Sequence, residues 1–471
     1  MIARETTPLL PAGASKKLKT PLPKRQIGIL MALQLAEPIA STSIFPYINQ
    51  LIRELGVTGG DDAAVGYYAG IIVGILFFAA QALTVLRWSR LSDRIGRKPV
   101  LVIGFSGACI SILCFGLSTT FWSLVISRCM CGFLNGNVGV IKTMIGELTD
   151  STNMAQAFAC FSIVWSIGGF AGPLMGGTLA RPQDHWPSLF ANSFWGQYPY
   201  FLPCAVAACL FVLAIFMMTF FLEETLSTKR RPKLTSATLD VLSGESIPQQ
   251  SMADTSLRSL LTPTVVIQIA NYAMFAFLDI SIRALVPLYL STPTYLGGLG
   301  FAPSRIGLQL AVFGIMGGTF QALFFAKIVD RLGPKRVFCM SVSCFIPVMV
   351  MFPIMSWLAS ARGTVDYLVT FALLCQLVLM VVWGMGFGTI FLLITVSAPS
   401  DTVLGAINGL GQTFSSMARA AGPALATSLF AISKERNLLA GNAVYVILIV
   451  LAGVLRWLGS QLPDDIQDRN K

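Results

Sequence analysis

Several charged side chains stand inside long apolar stretches of this chain, where an ion is costly. Insertion scales put the cost of a charge at the centre of a membrane helix at roughly 2.5–3.5 kcal/mol, so such groups are usually paired or face an aqueous cavity. They are therefore the first candidates for handling protons or a polar ligand. Together with one amide in a similar setting, the candidates are Glu37, Arg128, Asp279, Arg283, Arg419 and Gln412.

The two carboxylates differ in their local sequence. Arginine keeps its proton at ordinary pH, so a proton carrier must be sought among the carboxylates. Arg283 follows Asp279 by one helical turn, which favours the ionised form of Asp279, and the two could simply neutralise each other. Glu37 has no cation within one turn. We predict Glu37 as the proton acceptor, with Arg128 or Arg419 stabilising its charged form; the alternative is a fixed ion pair with an arginine.

The apolar stretches that carry these residues define the elements that must position them. The chain is 55% hydrophobic and only 12% charged, which is more apolar than soluble domains. Each stretch is about 20 residues or longer, enough for a helix to cross a bilayer. We predict an all-α membrane protein with twelve transmembrane helices in two six-helix halves. The predicted spans are 27–49, 67–88, 99–118, 121–144, 157–180, 198–222, 264–290, 304–327, 336–358, 367–397, 404–433 and 442–462. A mid-span amide such as Gln412 could contact substrate or bond a neighbouring helix.

A short charged pattern occurs twice, about half a chain apart, and each copy follows a long apolar stretch. The two copies contain Asp93, Arg94, Gly96, Arg97 and Lys98, and Asp330, Arg331 and Gly333. The repetition indicates two equivalent halves, an organisation found in many secondary transporters. An aspartate at this place can accept hydrogen bonds from the N-terminus of a facing helix. We predict that the pattern acts as a gate, whose contacts hold one state and break on switching.

Charge and composition divide the chain into five predicted segments: a tail (1–26), a six-helix half (27–222), a linker (223–263), a second half (264–462) and a tail (463–471). Basic residues concentrate before the first span, in the linkers after the second and eighth spans, and in the central linker. By the positive-inside rule, both termini and the central linker are predicted to be cytoplasmic. The net charge of +11 thus orients the protein and does not indicate a nucleic-acid partner.

Residue types that bind metals or nucleotides are sparse. The ten cysteines lie in or beside apolar spans and the one histidine is His185 in a predicted outer loop, so neither disulfides nor a metal cluster is expected. The Gly-x-x-x-x-Gly-Lys-Ser/Thr phosphate loop is absent from the sequence. We expect no cofactor and no enzymatic activity.

Three motifs resemble those of the major facilitator superfamily, within it the twelve-span drug:proton antiporters of fungal type. Residues 88–99 (WSRLSDRIGRKP) resemble the superfamily's signature between spans 2 and 3, with Ser89 where glycine is usual. Arg128 with Gly132 resembles a motif that the family associates with proton coupling. Glu37-Pro38 together with residues 419–423 (RAAGP) resembles the branch of zinc-induced facilitator proteins.

A fourth motif lies in the fifth span and resembles one typical of exporters. Its residues are Gly168, Gly172, Pro173, Gly176 and Gly177. Glycines four residues apart form a smooth ridge on which another helix can pack closely, and the proline kinks the span. The resemblance implies a seal against proton leak; plain helix packing is the alternative.

These observations predict a secondary transporter, a proton-coupled antiporter that exports small organic compounds by alternating access. The alternatives are a proton-coupled importer of a nutrient or metal chelate, and a receptor that does not transport. The expected partners are a small-molecule substrate, protons and the bilayer, with the protein acting as a monomer. Residues 5–10 (ETTPLL) fit an acidic dileucine sorting signal, so a vacuolar membrane is considered beside the plasma membrane.

Overall fold

The computed structural model describes residues 20–57, 59, 68, 70–150, 152–190, 193–226, 262–301, 303–363, 365–398 and 401–463. In this part of the chain the secondary structure is helical, and twelve helical spans form two halves of six. The sorting motif at residues 5–10 and most of the predicted central linker lie outside the described residues.

Six spans make up the first half, and span 4 consists of two helices in succession. In chain order, spans 1 to 6 are Lys24–Thr42, Ile71–Leu76 continued by Phe77–Ile95, Arg97–Gly116, Phe121–Leu134 continued by Asn137–Leu148, Met154–Leu179, and Phe201–Phe221. Short helices at Ile48–Glu54, Pro182–His185 and Ser193–Gln197 lie between spans.

The second half repeats this arrangement. Spans 7 to 12 are Pro263–Ser291, Pro303–Phe320 continued by Gln321–Phe325 and Ala326–Leu332, Pro334–Arg362, Tyr367–Val396, Asp401–Glu435, and Ala443–Ser460. The first segment of span 2 and the middle segment of span 8 are π-helical, which widens the helix locally.

Nine helices in the described residues are long and apolar enough to cross a membrane. The three remaining predicted spans, 1, 2 and 11, are more polar. Span 11 contains Asn408, Gln412 and Arg419, and span 1 contains Glu37. Two of these three less apolar spans therefore supply polar groups between the halves.

Span 4 differs from the continuous helix that its apolar sequence predicts. Its helix stops at Leu134 and resumes at Asn137. Two tertiary contacts account for the break. The side chain of Asn135 donates to Glu37 of span 1, and a Cβ on Gly136 would overlap the side chain of Trp88 in span 2.

The glycine ridge of span 5 packs directly on span 1. A Cβ added at Gly168 would overlap Pro38, at Gly172 it would overlap the Thr42 hydroxyl, and at Gly176 the backbone carbonyl of Ser43. The Thr42 hydroxyl also donates to the Gly168 carbonyl at 2.9 Å. Span 5 stays helical through Pro173, and Gly177 makes an ordinary contact with Pro46. Span 1 can approach this closely because the glycines of span 5 have no Cβ on the contact face.

The two halves meet at the end of the bundle where Lys24, Lys98 and Lys335 lie, which we call the basic end. Near this end, spans 4 and 11 are joined by a hydrogen bond from the Asn408 amide to the Thr143 hydroxyl at 3.2 Å. Spans 5 and 10 meet through aromatic rings, with 6.0 Å between the ring centroids of Phe161 and Phe391. The structure thus has its basic end closed.

Candidate functional site

Glu37 lies in the middle of span 1 with neutral hydrogen-bond donors around it. Its carboxylate accepts from the Asn135 amide at 2.7 Å and from the Gln34 amide at 3.1 Å. Lys142 and Arg419 act on Glu37 electrostatically, although neither forms an ion pair with it in the described residues. The carboxylate is thus held in place by neutral groups and exposed to the field of two cations. Such a group can gain or lose a proton without breaking a salt bridge.

Lys142 occupies the centre of the molecule and was not among the residues predicted from the sequence. Its side chain is only 3% exposed. The ammonium donates to the Tyr272 hydroxyl at 3.1 Å and to the Gln412 carbonyl at 3.2 Å. It also lies 3.6 Å from the ring centroid of Phe391, a close cation–π contact. Lys142 therefore links span 4 of the first half to spans 7, 10 and 11 of the second.

A signal for Lys142 is present in the sequence. It lies within the predicted span 121–144, flanked by Val140, Ile141 and Met144. The rule that singled out Glu37 and the arginines, that an intramembrane charge marks a functional position, applies to this lysine equally. Its partners could not be predicted, because Tyr272 and Gln412 are 130 and 270 residues away in the chain.

Asp279 and Arg283 form the ion pair that their spacing suggests. The Arg283 Nε donates to one carboxylate oxygen of Asp279 at 2.7 Å, and the indole N–H of Trp383 donates to the other at 3.1 Å. The Asp279 side chain is buried, whereas half of the Arg283 side chain is exposed. Asp279 thus has a fixed cationic partner, which sets it apart from Glu37.

The two arginines considered as partners of Glu37 lie in different surroundings. Arg419 in span 11 interacts electrostatically with Glu37, and its guanidinium lies 5.6 Å from the Phe387 ring centroid and 6.0 Å from that of Tyr272. Arg128 is buried in span 4 between the rings of Phe77 and Phe115, at 5.2 and 5.9 Å from their centroids. The geometry favours Arg419 over Arg128 as the arginine that stabilises charged Glu37.

At the basic end, Asp93 lies against the second turn of span 11. Its carboxylate accepts a hydrogen bond from the backbone N–H of Ala406. The approach is possible because residue 405 is glycine, where a Cβ would overlap the carboxylate. Asp93 also pairs with Arg97, whose fully buried side chain reaches Glu147 of span 4 at 2.8 Å. One aspartate therefore ties the first half to the second turn of a helix in the second half.

The other residues of the first charged pattern complete this end. Gly96 ends span 2 with φ of 110°, a conformation that residues with a side chain rarely adopt. The Lys98 ammonium donates to the carbonyls of Thr219 and Leu222 at 2.8 and 3.1 Å, while Arg94 is exposed.

The second copy of the pattern is more open than the first. Asp330 and Arg331 are both exposed at the end of span 8. Gly333 has φ of 80° and performs the same turn as Gly96. The residue that follows it is Pro334, which cannot form the buried bridge that Arg97 makes in the first copy. The two copies share their backbone turn but differ in what they hold together.

Ser89, which stands where the resembling family has glycine, is accommodated by glycines on the facing helices. A Cβ at Gly409 of span 11 would overlap Ser89, and a Cβ at Gly139 of span 4 would lie 3.2 Å from the Ser89 hydroxyl. Here the glycines of spans 4 and 11 provide the space that a glycine at position 89 would otherwise provide.

Comparison with known proteins agrees with this architecture. The family model of the Major Facilitator Superfamily matches residues 30–423. The chain is 30% identical to the efflux pump azaK of Aspergillus niger, covering 98% of this chain and 96% of that protein. It is also 30% identical to ZINC INDUCED FACILITATOR-LIKE 1 of Arabidopsis thaliana, covering 90% and 87%.

A solved structure of similar fold is that of the proton:xylose symporter XylE bound to 6-bromo-6-deoxy-D-glucose. The TM-score is 0.69 at 15% identity, with 94% of this chain and 98% of that chain covered. The family model spans both halves and most of the site described above. The resemblance to the zinc-induced facilitator branch is thereby confirmed. With its twelve helices in two halves, the chain belongs to the Major Facilitator Superfamily of multi-pass membrane transporters, which are not enzymes.

Proposed function

We propose that this transporter is a proton-coupled antiporter that exports small organic compounds by alternating access. The observation that carries the proposal is the setting of Glu37. It is an intramembrane carboxylate bound by two neutral amides, within the field of Lys142 and Arg419 and without a fixed ion pair in the described residues. Its hydrogen bonds and the two cations favour the charged form, while burial favours the neutral form, so a ligand that alters this balance can be exchanged for a proton at this position.

The cycle follows from the contacts between the halves. With the basic end closed, Asp93 accepts a hydrogen bond from Ala406 of span 11, and Lys142 donates to Tyr272 and Gln412. For the opposite state these contacts must break together, since all of them join the first half to the second. Substrate then enters from the basic side, which the positive-inside rule makes cytoplasmic along with both termini. Substrate binding displaces the proton from Glu37, and the substrate-loaded protein returns to the state with the basic end closed and releases substrate on the opposite side. There Glu37 takes up a proton, which allows the basic end to open again.

Two further observations support export. The close packing of spans 1 and 5 places the glycine ridge against the segment of span 1 that directly follows Glu37, where a seal against proton leak is needed. The relative azaK is named as an efflux pump. We propose that the protein works as a monomer in the plasma membrane or the vacuolar membrane.

The direction of coupling is tested in liposomes that contain the purified protein and the pH dye pyranine, with equal pH on both sides. A panel of amphipathic compounds is added outside. An antiporter lets protons leave as a compound enters, so the lumen becomes alkaline. A symporter would acidify the lumen, and a receptor would leave its pH unchanged. Protein-free liposomes control for compounds that carry protons by passive permeation. Alkalinisation by at least one compound is expected, and acidification would overturn the proposal.

A further inference from the structure

The space between the halves holds uncompensated charges of both signs. Asp279 and Arg283 neutralise each other. Glu37, Lys142 and Arg419 form no ion pair in the described residues, yet they interact electrostatically with one another. Leaving ions unpaired in a membrane protein is costly, so three such groups around one site point to a ligand that supplies the missing counter-charges.

The two cations lie near the same aromatic ring. The Lys142 ammonium lies 5.0 Å and the Arg419 guanidinium 6.0 Å from the centroid of the Tyr272 ring. The acceptors of Lys142, the Tyr272 hydroxyl and the Gln412 carbonyl, are neutral. An anionic group placed between the two cations would gain charge-assisted hydrogen bonds that these acceptors do not supply.

The surroundings of Glu37 have the opposite character. Gln34 and Asn135 give their amide N–H groups to the Glu37 carboxylate, and both residues are at least 95% buried. Their carbonyl oxygens are buried without a hydrogen-bond partner. Buried polar atoms are normally satisfied. A carboxylate and two amide oxygens in need of a donor suit an ammonium group, which has three N–H donors.

The proposed exchange of substrate for a proton distinguishes a ligand with one charged group from a ligand with two groups of opposite charge. Binding linkage is reciprocal. An anion alone binds more tightly once Glu37 is protonated and its negative charge is gone, so an anion and a proton would travel together. An ammonium group bound at Glu37 competes with the proton, as antiport requires. An ammonium group alone, however, leaves Lys142 and Arg419 without a counter-charge.

We propose that the substrate is a zwitterion with an ammonium group, an acidic group and an aromatic or other apolar body between them. Glu37, Gln34 and Asn135 bind the ammonium group, and Lys142 and Arg419 bind the acidic group. The rings of Tyr272, Phe391 and Phe387 contact the apolar body. This inference rests on the proposed function, because the competition at Glu37 is what requires the ammonium group.

The test is a binding measurement on three matched probes: 4-(aminomethyl)benzoate, which is zwitterionic, 4-methylbenzylamine, which is cationic, and 4-methylbenzoate, which is anionic. Binding to the protein in lipid nanodiscs is measured by calorimetry with no pH gradient. Since a hydrogen bond to a charged group contributes about one order of magnitude or more in affinity, the zwitterion is expected to bind about tenfold or more tightly than either analogue.

Substitutions test which residue binds each charged group of the zwitterion. Lys142→Gln should lower the affinity for the zwitterion toward that of the cation, with Arg419 keeping part of the preference, and Glu37→Gln should lower it to that of the anion. Lys142→Arg keeps the charge and should keep most of the preference, which separates loss of charge from loss of fold. Lys434→Gln is the matched control, because the Lys434 ammonium also lies over an aromatic ring, 5.7 Å from the Phe430 centroid, at the far end of span 11. It should leave all three affinities unchanged.

Two results would overturn the substrate class: equal or tighter binding of a singly charged probe, or an unchanged preference in Lys142→Gln. Because this measurement uses no gradient, its failure is separate from failure of the coupling. Lumen alkalinisation in the liposome assay with no zwitterion preference refutes the substrate class alone. Zwitterion preference with an acidified lumen refutes antiport alone.

Discussion

Asp93→Asn is the substitution that most directly weakens the contact closing the basic end. In the structure the Asp93 carboxylate accepts a hydrogen bond from the N–H of Ala406, in the second turn of span 11, and pairs with Arg97. Asparagine keeps an oxygen acceptor and nearly the same volume but removes the charge. The change therefore isolates the electrostatic part of the latch.

The size of the effect can be worked out from these two contacts. The hydrogen bond to Ala406 is the contact that joins the halves, and exchanging a charge-assisted hydrogen bond for a neutral one costs about 1 kcal/mol. The pair with Arg97 lies within the first half, and Arg97 keeps Glu147 as a partner at 2.8 Å, so the larger cost of leaving a buried ion unpaired does not arise. We expect the closed state to lose about 1 kcal/mol, a shift of roughly fivefold in the equilibrium between the states.

The shift can be measured by double electron–electron resonance, which reports the distance between two spin labels. The labels are attached at Thr149, at the end of span 4, and at Lys327, near the end of span 8. On a cysteine-free background, Asp93→Asn should increase the population with the longer distance and slow transport. Asp330→Asn is the matched control, since Asp330 is exposed and surface changes are within about 0.5 kcal/mol. An equal shift for both variants, or none for Asp93→Asn, would refute the latch.

Further substitutions test the helix packing, the proton site and the subcellular localisation of the protein. Gly176→Ala should lower the free energy of unfolding by about 1–3 kcal/mol because the new Cβ overlaps the Ser43 carbonyl. Gly169→Ala on the same span should leave the free energy of unfolding unchanged, because its Cβ would meet nothing within 4 Å. Thermal unfolding in detergent measures both variants. Asn135→Ala should weaken proton-driven transport more than Asn153→Ala, because Asn135 donates to Glu37 at 2.7 Å whereas Asn153 lies at the start of span 5. The lumen pH of pyranine-loaded liposomes reports the transport activity of each variant. Equal activities would rule out a role for Asn135. Replacing Leu9 and Leu10 by alanine should move a fluorescent fusion to the cell surface, and an unchanged distribution would discard the sorting signal.

The spans could be predicted because each one is long and apolar enough to show in the sequence without knowledge of its neighbours. The break in span 4 could be predicted only in part. Residues 134–137 (LNGN) contain an Asn-Gly pair, which is a local turn signal. The contacts made at the break, between Asn135 and Glu37 and between Gly136 and Trp88, are tertiary and cannot be predicted from local sequence.

The same distinction applies to the site. The pairing of Asp279 with Arg283 is visible in the sequence because both lie on one helix face, four residues apart. Lys142 carries an equally clear sign, a charge within an apolar span, but its meaning depends on Tyr272 and Gln412 of the other half. The unequal burial of Asp93 and Asp330 likewise depends on which helix faces each copy, although the Arg97-to-Pro334 difference already predicts a weaker second copy.

The central claim is that Glu37 carries the exchanged proton, and its most direct test compares Glu37→Gln with Asp279→Asn in liposomes. Each variant is assayed twice, for uptake driven by an acidic lumen and for exchange of labelled against unlabelled substrate at equal pH. Glu37→Gln should abolish gradient-driven uptake while retaining exchange, because the amide can accept a hydrogen bond but cannot release a proton. Asp279→Asn should still respond to the gradient, since Asp279 is held by Arg283 and Trp383. Gradient-driven uptake by Glu37→Gln, together with its loss in Asp279→Asn, would contradict the account and exchange the roles of the two carboxylates.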